Sequence, residues 1–139
     1  NPPVLEQLGL VPALEWLTEE MHKNYRMKVH INDDHVPKIM DGVSASIVYR
    51  AVRELLINVA RHAQVDTVRV TARGLDGHLT VQIADNGVGF DPSEEQERGA
   101  AGLGLATLRE RIGFIGGKLT LDSERGRGTV ATIAVPLHK

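Results

Sequence analysis

The feature that most constrains the fold of this chain is a short apolar alternation that runs directly into a glycine-rich polar turn. Residues 79–84 (LTVQIA) alternate apolar and polar side chains, the pattern of a strand with one buried face. Residues 85–90 (DNGVGF) follow at once and combine a carboxylate, a carboxamide and two glycines. Because glycine lets a ligand approach the backbone closely, this strand end is predicted to line a binding site.

The segment before this strand predicts the strongest helix of the chain. Apolar side chains recur at three- and four-residue spacing over residues 44–62, which indicates an amphipathic helix with one of its first serines as the N-cap. At 100° per residue, Glu54, Asn58 and Arg61 fall on a separate stripe along the helix flank. Since Asn is a mediocre helix former, a carboxamide in mid-helix favours a functional role over a merely solvated flank.

The remaining segments predict a sheet with helices on one face. Residues 1–3 are expected to be extended or turn-like, since proline disfavours helix in the residue before it. Periodicity predicts further helices over residues 9–25 and 103–115, and further strands over residues 27–31, 65–72, 118–122 and 129–137. Three helices and about five strands, mostly in adjacent antiparallel pairs, indicate an α+β sandwich.

Composition limits the classes of protein to which the chain can belong. Its 139 residues, 42% hydrophobic and 24% charged, suit one soluble globular domain. A formal net charge of -2 gives no general reason to expect nucleic acid or an acidic membrane as a partner. The lack of cysteine excludes disulfides, thiolate zinc sites and cysteine nucleophiles. Because the first residue is Asn1 rather than Met, we expect a fragment of a longer protein.

A histidine-rich turn allows a second kind of site. His30 and His35 lie close in sequence to Asp33 and Asp34, so these residues could hold a metal ion. A run of Asn and Asp is also typical of an exposed turn. The exposed turn is the interpretation that we favour.

Neither of the standard phosphate-binding loops is present. A dinucleotide fingerprint needs Gly-x-Gly-x-x-Gly, and neither residues 87–92 (GVGFDP) nor residues 102–107 (GLGLAT) have the third glycine. A P-loop needs Gly-x-x-x-x-Gly-Lys-Ser/Thr. Residues 112–119 (IGFIGGKL) lack its first glycine and its final hydroxyl residue.

The motifs of this chain, taken in order, resemble a different nucleotide site, that of the GHKL superfamily of gyrase, Hsp90, MutL and the histidine kinases. Residues 54–63 (ELLINVARHA) resemble its N box, residues 85–90 its G1 box, residues 102–105 (GLGL) its G2 box and residues 126–129 (GRGT) its last glycine element. The resemblance covers nearly the whole chain. Residues 61–63 (RHA) and 108–112 (LRERI) are nearest to sensor histidine kinases of the NarX/DesK type.

The resemblance implies a fold and an activity. The fold would be the Bergerat fold, a two-layer sandwich of a roughly five-stranded mixed sheet covered by about three helices, with residues 1–139 forming one ATP-binding domain. The domain would bind Mg-ATP and donate the γ-phosphoryl group to a histidine on a dimerisation hairpin that precedes Asn1. Without that hairpin, the isolated domain is expected not to phosphorylate itself.

The resemblance also implies a role for particular residues. Asn58 would bind Mg²⁺ through its carboxamide oxygen, and Glu54 would orient a metal-bound water or act as a base. Asp85 would accept a hydrogen bond from the adenine amino group. The residues expected to bind the nucleotide are Asn58, Arg61, His62, Asp85, Asn86, Gly87, Gly89, Phe90, Gly102, Leu103, Gly104, Leu105 and Thr129. Residues 91–101, which are polar and lack periodicity, would form a lid over the ATP.

Partners, location and alternatives follow from the same resemblance. The direct partner would be the hairpin of the same protein, with a response regulator downstream and a homodimer for the full-length kinase. The domain would be cytoplasmic without membrane contact of its own, although the full-length protein could be anchored in a membrane. The alternatives are an anti-sigma-type serine kinase or GHKL ATPase, and a non-catalytic nucleotide-binding module.

Overall fold

The structure is a computed structural model that describes residues 1–93 and 104–137. Five strands form one sheet: β1 (Lys28–Asp33), β2 (Thr67–Leu75), β3 (His78–Asp85), β4 (Lys118–Glu124) and β5 (Gly128–Pro136). The helices that lie wholly within the described residues are α1 (Pro3–Leu8), α2 (Leu10–Tyr25), α3 (Gly42–His62) and α4 (Leu105–Phe114).

The sheet is mixed and has the strand order β1-β2-β3-β5-β4. β1 and β2 are parallel, because α3 crosses between them, and all other neighbouring strands are antiparallel. Asp76 and Gly77 form a two-residue turn between β2 and β3 with φ angles of 53° and 75°, as the Asp-Gly pair favours. The predicted α+β class and the predicted hairpin are therefore confirmed.

The core lies between one face of the sheet and the helices. Inward side chains alternate along each strand, as with Leu79, Val81 and Ile83 on β3, and each of these is at most 2% exposed. From the other side, α2 contacts β1, α3 contacts β3 and α4 contacts β4. Within residues 1–93 and 104–137, the side chains on the opposite face of the sheet are mostly polar. A group that points inward from a strand end therefore enters the space between sheet and helices.

The predicted lead-in is confirmed for residues 1 and 2, and Pro2 is extended. Pro3 instead begins the short helix α1, which was not predicted, because proline at the first helical position has a fixed φ that is already helical. Gly9, with φ of 93°, separates α1 from α2.

The start of α3 differs from the prediction as well. Its N-cap is Asp41, which precedes the serines predicted for this role, and the Asp41 carboxylate accepts a hydrogen bond from the Ser44 N–H at 2.7 Å. A carboxylate satisfies one of the unpaired N–H groups of a first turn as well as a serine hydroxyl does.

The segment after β1 is an ordered ion-pair cluster. β1 runs two residues further than predicted, to Asp33, because pairing with β2 continues to Ala72. The Asp34 carboxylate accepts the Gly74 N–H at 2.9 Å, and Lys38 Nζ lies 2.7 Å from the Asp33 carboxylate. Lys38 also pairs with Asp34. These contacts fix the chain where it enters α3.

The described residues show neither a metal-ligand cluster nor a membrane span. Across residues 1–93 and 104–137, no three His, Asp or Glu side chains converge as metal ligands would. Over the same ranges, no helix has both the length and the apolar character that are needed to cross a bilayer.

Candidate functional site

The glycine turn at residues 85–90 lies against the C-terminal end of α3. The Val88 N–H donates to the Ala63 carbonyl at 2.9 Å. A Cβ on Gly87 would stand 2.2 Å from that same carbonyl oxygen, closer than any side chain allows. The first glycine of the turn is therefore required by the approach of the helix end.

The other side of the turn is bound to the β4–β5 hairpin. The Gly126 N–H donates to the Val88 carbonyl at 2.7 Å. Gly89 has φ of 64°, and a Cβ there would stand 2.0 Å from the Glu124 carbonyl oxygen. The turn is thus held between a helix end and a hairpin, and both of its glycines are packing requirements.

Asp85, the last residue of β3, carries a buried carboxylate. Its side chain accepts the Gly87 N–H at 2.8 Å and also receives the Thr129 N–H, and the residue is 7% exposed. Burial raises the pKa of Asp85, and the two N–H bonds offset part of that rise. Such a carboxylate is a fixed hydrogen-bond acceptor rather than a flexible surface charge.

The polar stripe of α3 reaches the turn at its C-terminal end. The Glu54 side chain is about half exposed, Asn58 is partly buried, and Arg61 and His62 are exposed to solvent. With a rise of about 1.5 Å per residue, Asn58 lies roughly 7.5 Å along the helix from Ala63. Glu54 approaches Arg53 at 3.5 Å, and because both side chains are about half exposed, this contact contributes little to stability. The stripe therefore carries a carboxylate, a carboxamide and a cation along one flank of α3, and the C-terminal end of this helix meets the turn.

The second glycine element begins α4. Gly104 is the N-cap of α4 with φ of 71°, a left-handed conformation that glycine adopts without strain. Among the residues that the structure describes, no side chain caps this end, and Leu105 packs into the core. Any contact of Leu105 with a ligand would therefore come from its backbone N–H. Gly102 and Leu103, like most of the predicted lid, lie outside the described residues.

Three further predicted residues lie around the same turn. Asn86 is exposed, and Phe90 packs partly against the core. Thr129 is partly buried and pairs with Asp85 across β3 and β5. The structure thus brings residues 85–90 and Thr129 together, with α3 on one side.

Sequence reasoning missed one residue of this region, Ser123 on β4. Its hydroxyl accepts the Phe90 N–H at 2.9 Å and contacts Thr129 Oγ1 at 2.8 Å, and the residue is 7% exposed. The strand was predicted to end at residue 122. Extending the alternation of Leu119 and Leu121 by one more step would have placed a serine at an inward position, which was the available signal.

A groove of about 280 Å³ adjoins Asp85 and Asn86 where β2 begins and β3 ends. Its walls include His30 and Arg69, which are partners on β1 and β2. Both side chains are exposed, while their neighbours Val29 and Val68 point into the core. Its exposed lining side chains thus lie on the face opposite α3, and Val68 and Asp85 also border it.

Solved structures of other proteins share the fold of this chain. The histidine kinase domain of the Erythrobacter litoralis EL346 blue-light activated histidine kinase is 24% identical, with a TM-score of 0.73 over 89% of this chain and 59% of that chain. The Acinetobacter baumannii histidine kinase AdeS is 14% identical, with a TM-score of 0.73 over 98% of this chain and 73% of that one. At these identities the likeness shows the fold: an α+β sandwich of the kind found in histidine kinases.

Sequence comparison gives the family. Residues 43–139 match the family described as histidine kinase-, DNA gyrase B-, and HSP90-like ATPase, and the chain belongs to it. The oxygen sensor histidine kinase NreB of Staphylococcus carnosus (strain TM300) is 32% identical over 99% of this chain and 39% of its own length. The sensor histidine kinase ComP of Bacillus subtilis (strain 168) is 28% identical over 99% of this chain and 18% of its own length. The chain thus spans less than half the length of either relative.

Proposed function

We propose that this chain binds Mg-ATP at residues 85–90 and serves as the catalytic domain of a sensor histidine kinase. The observation that carries the proposal is the buried Asp85 carboxylate, fixed by two backbone N–H groups in a turn that has no room for side chains at its glycines. Desolvating a carboxylate costs free energy. A ligand that donates a hydrogen bond to it, such as the adenine amino group, recovers part of that cost.

The residues of the α3 stripe suit the phosphate end of the nucleotide. Asn58 offers a carboxamide oxygen, a hard ligand of the kind that Mg²⁺ accepts, and Glu54 offers a carboxylate one helical turn earlier. When bound, Mg²⁺ would neutralise charge on the phosphates. Arg61 and His62 are exposed near the turn and would contact phosphate oxygens. We further propose that the first turn of α4, with Gly102 to Leu105, donates backbone N–H groups to the phosphates.

The reaction that we propose is a phosphoryl transfer. An imidazole nitrogen of a histidine on a separate hairpin attacks the γ-phosphorus, and an N–P bond forms as the bond to the β-phosphate oxygen breaks. The attacking nitrogen uses its lone pair, ADP leaves, and the proton on the other ring nitrogen passes to water or to a base such as the Glu54 carboxylate. The domain contributes mainly positioning and charge neutralisation, since phosphoryl transfer asks for little covalent chemistry from the protein. The same proposal includes two partners, the acceptor hairpin and a response regulator. It also includes a homodimeric full-length kinase and a cytoplasmic location for this domain.

Labelled ATP and a separately produced hairpin test this proposal. Incubation of the chain with γ-labelled ATP and Mg²⁺ should give acid-labile phosphate on the hairpin and none on the chain itself. Label on the chain in the absence of the hairpin would contradict the proposal. Acid-stable label on a protein antagonist would point to a serine kinase, and release of inorganic phosphate alone would point to an ATPase.

A variant of Asn58 tests the metal assignment. Asn58→Asp adds a negative charge beside the phosphates and is expected to abolish binding of an ATP analogue with Mg²⁺ in calorimetry. Asn32→Asp is the matched control, because Asn32 is exposed on β1 and the same substitution there should leave affinity unchanged. Unchanged affinity in Asn58→Asp would remove Asn58 from the site. If the unaltered chain fails to bind ATP at millimolar concentration, the chain is a non-catalytic module.

A further inference from the structure

We propose that Ser123 is a positioning residue that makes the site selective for a purine with a 6-amino group, because its hydroxyl fixes which way the Thr129 hydroxyl points. The inference rests on the proposed function, since it assumes that the purine lies beside Asp85. Three residues that are paired with one another across the strands support this inference. Asp85 on β3, Thr129 on β5 and Ser123 on β4 stand side by side in one row of the sheet, on the face that the helices cover.

The Ser123 hydroxyl has three neighbours. The Phe90 N–H donates to it at 2.9 Å, the Gly128 carbonyl oxygen lies at 3.1 Å, and Thr129 Oγ1 lies at 2.8 Å. Phe90 can only donate to Ser123, and the Gly128 carbonyl can only accept from it. A serine hydroxyl has one hydrogen to donate and two lone pairs to accept with.

These counts decide the direction of the third bond. When the Ser123 hydrogen goes to the Gly128 carbonyl, the second lone pair of Ser123 remains for the Thr129 hydroxyl, which must then be the donor. This is the one arrangement that satisfies all three contacts. Because Ser123 is buried, water cannot easily replace a lost partner, and the satisfied arrangement is strongly favoured.

The direction of this bond determines what a ligand meets. The Thr129 hydrogen is committed to Ser123, so Thr129 Oγ1 can offer only lone pairs. Thr129 is more accessible than its two neighbours, and its backbone N–H is already committed to Asp85. The row therefore presents two acceptors, the Asp85 carboxylate and the Thr129 oxygen. An amino group at purine C6 can donate to such a pair, whereas a C6 carbonyl would meet unfavourable lone pairs.

The experiment compares two nucleotides in calorimetry with Mg²⁺: ATP, and inosine triphosphate, which carries a C6 carbonyl in place of the amino group. Ser123→Ala leaves the Thr129 hydroxyl able to donate to a ligand. We expect affinity for ATP to fall roughly tenfold while affinity for inosine triphosphate holds or rises, so that the preference for ATP shrinks at least tenfold. Ser123→Thr keeps a hydroxyl and should restore most of the preference.

Two further variants act as controls. Thr120→Ala removes an exposed hydroxyl from the same strand and should leave both affinities unchanged. If Ser123→Ala does not fold, Ser123→Cys keeps a similar volume with a weak donor and acceptor, and the same comparison applies.

Two results would overturn the inference or its basis, and they are distinguishable. An equal loss of affinity for both nucleotides in the Ser123 variants would show a merely structural role and would overturn the inference while leaving the proposed function intact. Failure of the unaltered chain to bind either nucleotide would contradict the proposed function itself.

Discussion

Gly128 lies so close to Asp85 that a Cβ on Gly128 would stand 2.2 Å from the Asp85 carbonyl oxygen. The same glycine has φ of 80°, in the left-handed region. Its carbonyl accepts the Ser123 hydroxyl, and the next residue, Thr129, donates its N–H to the Asp85 carboxylate. Glycine is therefore required at position 128, because a side chain there would keep β5 from approaching β3 at the site.

Replacement of this glycine should be far more costly than replacement of its neighbour. In Gly128→Ala, the new Cβ clashes with Asp85 and the φ is also strained for alanine. In Gly126→Ala, only the φ of 84° is strained, because nothing lies within 4 Å of the new Cβ. We expect Gly126→Ala to lower the unfolding free energy by about 1–2 kcal/mol, the cost of left-handed backbone alone. Gly128→Ala should lose several kcal/mol more or fail to fold. Urea unfolding measures both, and equal losses would show that the approach to Asp85 is not tight.

The raised pKa of Asp85 predicts a pH dependence of stability. Burial favours the protonated carboxyl in the folded chain, so between pH 3.8 and the folded pKa the folded state binds more protons than the unfolded state. Stability from this group is therefore present at low pH and falls as the pH rises through that window. The unfolding free energy of the ligand-free chain minus that of Asp85→Asn should decrease from about pH 4 upwards and then level off. A difference that grows with pH would contradict the burial of this carboxyl.

The ion-pair cluster before α3 predicts a change in one titration. A hydrogen bond from Lys38 is the main cause that lowers the pKa of Asp34 from 3.8 to about 2, with smaller contributions from the Gly74 and Val36 N–H groups. Stability from Asp34 is thus present above pH 3.8 and is lost as the pH falls through about 2.

The Lys38→Met variant removes this cation. Its Asp34 pKa should rise part of the way back to 3.8, because the two backbone N–H groups remain. NMR titration of the Asp34 carboxyl measures it, and Lys28→Met, at an exposed position, is the control. An Asp34 pKa that stays near 2 would assign the shift to the backbone instead.

Patterns that repeat along the chain were sufficient to predict most of the fold. The alternation in residues 79–84 and the three- and four-residue spacing before it predicted β3 and α3 to within a few residues, since both patterns report one buried face. The α1 helix was not predicted, because a proline that stops a preceding helix also suits a first helical turn. The N-cap of α3 was misplaced for a similar reason, as Asp and Ser both serve as caps.

The site was predictable where its residues stand in motifs and not where contacts bridge distant segments. Asp85 was singled out as a carboxylate at a strand end, and the structure places it there, buried. Ser123 was missed because its partners, Phe90 and Thr129, come from two other segments that only the strand order brings together. The roles of Asn58, Glu54, Gly102 and Gly104 stay predictions for the same reason, since they depend on a ligand that joins separate elements.

Calorimetric titration of a non-hydrolysable ATP analogue with Mg²⁺ tests the central claim most directly. The unaltered chain should bind the analogue, and Asp85→Asn should show no measurable binding, because the amide puts a donor where two N–H groups and the adenine amino group all need an acceptor. Asp122→Asn, at an exposed position of β4, should bind like the unaltered chain. Undiminished affinity in Asp85→Asn would show that Asp85 does not bind the adenine amino group.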